Sequence, residues 1–153
     1  LRYAKEDATA QEIAEAARIA QATEIIEAKP EKYATPISQG GTNVSGGQKQ
    51  RLSIARALVK RAEIYIFDDS FSALDFKTDA KLRTELNKMI RETQATVLLV
   101  AQRISSIMHA DRIVVLDKGR VAGIGTHEEL MESCEVYQEI AYSQLSKEEL
   151  GNE

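Results

Sequence analysis

The chain has 153 residues, 43% of them hydrophobic and 29% charged, which is the balance of a folded soluble domain and excludes intrinsic disorder. Twenty Lys and Arg against 24 Asp and Glu leave a net charge of −4, so no general attraction to nucleic acid or an anionic membrane exists, and any phosphate site must be local. The single cysteine, Cys134, excludes an internal disulfide framework and a zinc ribbon, and the longest apolar runs, such as Thr96 to Ala101, fall far short of the ~20 residues of a membrane helix.

The opening LRYAKE has no signal-peptide anatomy and no starter Met, and is read as part of a longer chain with missing parts upstream. From Thr9 the sequence predicts one amphipathic helix to Ala28, opened by a Thr9 and Glu12 capping box, with Ile13, Ala16, Ala17, Ala20 and Ile25 near one face. Pro30, Pro36, Gly40 and Gly41 mark Lys29 to Asn43 as loop and short turns. A second helix is predicted from Ser45 to about Lys60, its apolar stripe supplied by Leu52, Ile54, Ala55, Leu58 and Val59.

IYIFDD reads as a buried parallel strand ending in two carboxylates, Lys77 to Arg91 as a helix, and TVLLVA as a second buried strand. Strand, helix, strand at this spacing is a crossover unit, so the fold class is α/β. Two further strands are predicted around a Lys118 and Gly119 turn, then a helix opened by a Thr126 and Glu129 capping box; SKEELGNE is expected to fray.

Four stretches carry possible chemistry. In VSGGQKQR, Ser45 takes the N-cap and Gln48 the third helical position. Gly46 and Gly47 let a ligand approach the free amides, where the helix dipole favours phosphate. Capping alone explains Ser45 and Gln48 but not two successive glycines, each costing about 1 kcal/mol relative to Ala inside a helix. Asp68 and Asp69 stand at a strand end, the first suited to Mg²⁺ and the second to orienting a water; a solvated terminus or a turn cap is the plainer alternative. Asp75, in SALD, either serves that site or caps the following helix, and Gln102 follows a strand where parallel sheets present residues to ligands, although on the residues alone an ordinary loop glutamine is the stronger reading. His109 and His127 are too isolated to form a metal site.

Taken together, the chain resembles the nucleotide-binding domain of ATP-binding cassette (ABC) transporters of the exporter type. VSGGQKQR is similar to the signature motif, IYIFDD to the Walker B strand, SALD to the D-loop, and Gln102 lies where the switch histidine is expected. The resemblance implies part of a P-loop NTPase-like parallel sheet with flanking helices: residues 1–60 as mainly helical subdomain and signature helix, 61–153 as Walker B, D-loop, switch and C-terminal parts. It implies ATP and Mg²⁺ as cofactors, with Asp68 for Mg²⁺, Asp69 and Gln102 as catalytic groups, and Ser45, Gly46, Gly47 and Gln48 on the nucleotide of an opposing subunit. Asp75 would link the two sites. The implied partners are a second nucleotide-binding domain and the membrane domains of the same transporter, not nucleic acid, at the cytoplasmic face of the membrane.

The sequence departs from that pattern in several places, among them the TPISQGG stretch ahead of the signature, which lacks the Glu often found there. G-x-x-x-x-G-K-[ST] occurs nowhere, and Gly41 with Gly46 is a near miss, since Gly47 and Gln48 stand where Lys and Ser or Thr are required. The segment alone is therefore expected to bind ATP poorly. Asp69 stands where Glu is normal, shortening the reach by about 1.5 Å, one carbon–carbon bond. Gln102 replaces a histidine and cannot carry an imidazolium charge. A signature intact apart from Val44, where Leu is commonest, beside a weakened site leads to the expectation of the degenerate half of a heterodimeric exporter; a non-transport ABC-type ATPase and a catalytically silent regulatory module are the alternatives.

Overall fold

The computed structural model describes the backbone of residues 1–149 and the side chains of residues 1–144. The chain forms two compact units, Leu1–Val100 and Ala101–Glu153, each with its own apolar core.

The first unit opens with α1 (Ala10–Ile19), and the Thr9 and Glu12 capping box is formed, the Thr9 amide donating to Glu12 Oε2 at 2.8 Å. The expected single helix to Ala28 is corrected: the chain breaks after α1 and resumes as α2 (Thr23–Glu27). Gln21 turns to a φ of 55°, and the Ala22 amide donates to Ala17 O at 2.8 Å. Arg51 Nη1, from a distant helix, donates to Gln21 O at 3.0 Å, satisfying a carbonyl the break exposes. Past the break Ile25 and Ile26 join the same core as Ile13.

After short 3₁₀ turns at Lys32–Ala34 and Gln39–Gly41 comes α3 (Gly46–Val59), whose Ile54, Ala55, Leu58 and Val59 are buried as expected. The alanines Ala16, Ala17 and Ala55 are all buried, and such small residues permit the close packing of α1 on α3. β1 (Ile64–Asp68) and β2 (Thr96–Val100) pair in parallel, Ile64 opposite Thr96 through Asp68 opposite Val100. Between them runs α4 (Phe76–Thr93), which places Leu82 and Leu86 in the core. Gln94 ends that helix in the left-handed region at a φ of 56°.

The expectation that both strands are buried on two faces is corrected. Tyr65 and Phe67 are buried, but Ile64 and Ile66 are 60% and 68% exposed, and Leu98 and Val100 share that open side. Among the described residues the helices of this unit cover only one face of the pair. A pleated strand alternates its side chains, so covering one face buries every second residue.

In the second unit α5 (Ile104–Ile107) precedes an antiparallel hairpin of β3 (Ile113–Asp117) and β4 (Arg120–Gly125), with an irregularity between Val115 and Leu116. Lys118 and Gly119, at φ of 47° and 77°, form the expected tight turn, matching the twist of paired strands. α6 (His127–Ser133) starts from the Thr126 and Glu129 capping box, and α7 (Glu135–Glu149) follows. Leu130 and Cys134 pack against Gly123, where a Cβ would lie 2.9 Å from Leu130 Cδ2 and 3.0 Å from Cys134 Sγ. Cys134 is thus a buried free thiol in an apolar cluster. The tail expected to fray is helical as far as Glu149; its remaining residues, Leu150 to Glu153, lie outside the described residues.

Candidate nucleotide site

Three features of the first unit converge on one short turn. At the start of α3, Ser45 Oγ accepts from the Gln48 amide at 3.3 Å, and Gln48 Oε1 accepts from the Ser45 amide at 3.2 Å. This reciprocal cap satisfies Gln48 and leaves the Gly46 and Gly47 amides as donors without an intrahelical partner. Ser45 and Gln48 therefore spend their side chains on the helix end, and an anion there would meet the two glycine amides first.

The glycines are not equivalent. A Cβ on Gly46 would find only Ala73 Cβ, at 3.9 Å, so the missing side chain keeps this surface open. A Cβ on Gly47 would lie 2.9 Å from Ala73 O, so here glycine is needed to seat the helix on the turn after β1. Gly46 thus leaves room at the helix start, whereas Gly47 has a packing reason of its own.

β1 delivers Asp68 and Asp69 to that turn, both exposed. Asp69 sits in the left-handed region at a φ of 46°, which Asp tolerates better than most residues, and its amide donates to Val100 O at 3.1 Å. Its carboxylate folds back toward Ser72, with Oδ2 3.2 Å from Ser72 Oγ. Below, Phe71 is buried edge-on to Phe67 at 5.5 Å, with the Arg83 guanidinium 4.7 Å from its ring centroid. Arg83 is itself held by Asp79 at 2.8 Å. A buried aromatic with a cation over its face anchors the exposed part of the turn.

Asp75 is the N-cap of α4: its carboxylate accepts from the Thr78 amide at 2.9 Å and the Thr78 hydroxyl at 2.8 Å. The amide first, then the hydroxyl, hold the Asp75 carboxyl below the ordinary aspartate range and keep it ionised at the positive end of the helix. The plainer alternative weighed from sequence is thus the role the geometry displays.

Gln102 belongs to the second unit. Its side chain is exposed, and its carbonyl accepts from Gln144 Nε2 at 2.6 Å, while Gln144 Oε1 accepts from the Ile104 amide at 2.7 Å. One α7 side chain thereby fixes the backbone on both sides of Arg103. In the same unit His127 Nδ1 lies 2.8 Å from the Tyr137 hydroxyl, edge-on to its ring.

Sequence reasoning missed Gln50. Its Nε2 donates to Asp69 O at 3.2 Å and to Ser72 Oγ at 3.1 Å, and its Oε1 accepts from the Ala73 amide at 2.9 Å. No local pattern announces such a role, because all three partners lie 19 to 23 residues away.

For Mg²⁺ the donor set fits only in part. Asp68 offers a hard, exposed carboxylate, but among the described residues no three of His, Cys, Asp and Glu cluster to hold a metal. That suits a cation that keeps its waters and shares phosphate oxygens, as Mg²⁺ does, rather than one caged by protein.

Residues 3–72 match the family model for ABC transporters, a stretch that includes both the start of α3 and the carboxylates of β1. The chain is 46% identical, over 94% of its length, to an uncharacterized ABC transporter ATP-binding protein of Mycobacterium tuberculosis, of which it covers 24%. It is 41% identical over 96% of its length to an ATP-dependent lipid A-core flippase of Chromobacterium violaceum, covering 25% of that protein. A bacterial Atm1-family ABC exporter with ATP bound superposes with a TM-score of 0.85 at 35% identity, over 91% of this chain and 24% of that one. The chain thus spans about a quarter of the length of the relatives it matches. With a signature-like helix start, a carboxylate-ended strand and these likenesses in sequence and structure, the chain belongs to the ATP-binding domain of the ABC transporter family.

Proposed function

We propose that this chain is part of the ATP-hydrolysing motor of an exporter, working with a second nucleotide-binding domain and with membrane domains at the cytoplasmic face of a membrane. The observation that carries the reading is the packing of Gly46 and Gly47, at the start of α3, against Ala73 in the turn that follows Asp69, which sets a helix start suited to an anion beside a carboxylate-bearing strand end. ATP as the ligand is supported by the ATP-bound state of the structural relative. Asp68 is the ligand to Mg²⁺, which when bound would neutralise phosphate charge; Asp69 orients the attacking water, Gln102 donates to the terminal phosphate, and Asp75 links the two sites. Ser45, Gly46, Gly47 and Gln48 serve the partner's nucleotide.

The site built by this chain is the weaker of two. Asp69 is one methylene shorter than the usual Glu, and displacements near 1 Å cost a factor on the order of 100 in rate. Gln102 gives a neutral hydrogen bond where an imidazolium would meet developing charge. ATP stays bound there with little turnover, while the signature completes an active site on the partner, and closure around nucleotide followed by reopening drives the membrane domains.

The test is ATP turnover by the full-length protein, alone and mixed with the product of its genomic neighbour. Turnover only in the mixture supports the degenerate half of a heterodimer. Brisk turnover by the protein alone would refute it.

A further inference from the structure

The amide of Gln50 and the hydroxyl of Ser72 form a relay that ends on Asp69. Gln50 cannot be turned over: Ala73 N–H is only a donor and Asp69 O only an acceptor, so Oε1 must face the first and Nε2 the second. Nε2 also reaches Ser72 Oγ at 3.1 Å. A hydroxyl has one proton and two lone pairs; with the Gln50 amide occupying a lone pair, the proton of Ser72 is directed away from Gln50. Two acceptors are within its reach, Asp69 O and Asp69 Oδ2, each 3.2 Å from Ser72 Oγ. Ser72 has one proton for these two acceptors, and the carboxylate oxygen is the stronger of the two.

We propose that Gln50 is a positioning residue for the Asp69 carboxylate, acting through the Ser72 hydroxyl. Asp69 is exposed, so little packing restrains its side chain, and the hydroxyl supplies the restraint. Because Gln50 stands on α3 just after the signature residues, the orientation of the carboxylate at one nucleotide depends on the helix that serves the other. This inference rests on the reading of Asp69 as the water-orienting group.

The experiment is single-turnover ATP hydrolysis and ATP binding by the full-length transporter, assembled with a partner whose own catalytic carboxylate has been removed. Gln50→Met and Ser72→Ala are each expected to slow the hydrolysis step by about tenfold, the scale of one lost hydrogen bond to a charged group, with ATP affinity held within about twofold. The double variant should be no slower than either single one, and neither change should add to the loss in an Asp69→Asn background. Ser72→Thr, which keeps the hydroxyl, regains most of the rate lost in Ser72→Ala. A merely structural role predicts losses that multiply and that persist beside Asp69→Asn, and either result overturns the proposal. Wild-type hydrolysis matched by both single variants overturns this inference alone. An assembly that binds no ATP overturns the functional reading and this inference with it.

Discussion

Replacing the two signature glycines one at a time separates ligand access from packing. Both have helical backbone in the first turn of α3, so Ala gains helix propensity at either position, at most about 1 kcal/mol. At Gly46 the new methyl meets Ala73 Cβ at 3.9 Å, an ordinary contact. At Gly47 it meets Ala73 O at 2.9 Å, and that oxygen cannot easily retreat, because the amide of the same residue is gripped by Gln50 at 2.9 Å. Overpacking against backbone costs about 1–3 kcal/mol, and since the propensity gains cancel, this is the expected stability gap between Gly46→Ala and Gly47→Ala. For a chain of this size 1 kcal/mol moves Tm by about 2–4 °C, so Gly47→Ala should melt several degrees below Gly46→Ala. Thermal unfolding followed by circular dichroism reads the gap. In the assembled transporter Gly46→Ala should weaken ATP-dependent turnover at the partner site while stability holds. Equal melting temperatures would refute the packing argument for Gly47.

Combining Asp69→Glu with Gln102→His should raise hydrolysis at this chain's own site by tenfold or more, on the order of the geometric penalty it removes; single-turnover assays reporting no gain would favour a silent module. Lys5 first, then the Thr9 amide, hold the Glu12 carboxyl down to about 2, so its folded value lies below its unfolded one. The stabilisation it gives is complete above pH ~4.5 and is lost as pH falls toward 2. The Tm difference between wild type and Glu12→Gln should therefore close over that range, and a difference constant with pH would contradict it. In the second unit, Gly123→Ala should destabilise by about 1–3 kcal/mol because its methyl lies 2.9 Å from Leu130 and 3.0 Å from Cys134; Cys134→Ala in that background should recover part of the loss in chemical denaturation.

The sequence by itself determined whatever depends on neighbours three or four residues apart. The capping boxes at Thr9, Ser45 and Thr126, the Lys118 and Gly119 turn, and the delivery of Asp68 and Asp69 to a strand end are legible because donor, acceptor and backbone bend lie within one short segment. The α/β class was legible for the same reason, since strand and helix periodicities are local. Tertiary structure decided the rest. Periodicity ran one helix through Gln21, where burial of Ile25 and Ile26 and the bond from Arg51 favour a break. It marked Ile64 and Ile66 as buried, although an apolar run cannot say how many faces its neighbours cover. The packing need for Gly47 is visible only once Ala73 lies against it, and Gln50 looked like any polar residue of a helix. Each of these depends on what distant segments do in space, and for Gly47 and Gln50 it is the packing of α3 on the turn after β1 that brings partners 19 or more residues away into contact.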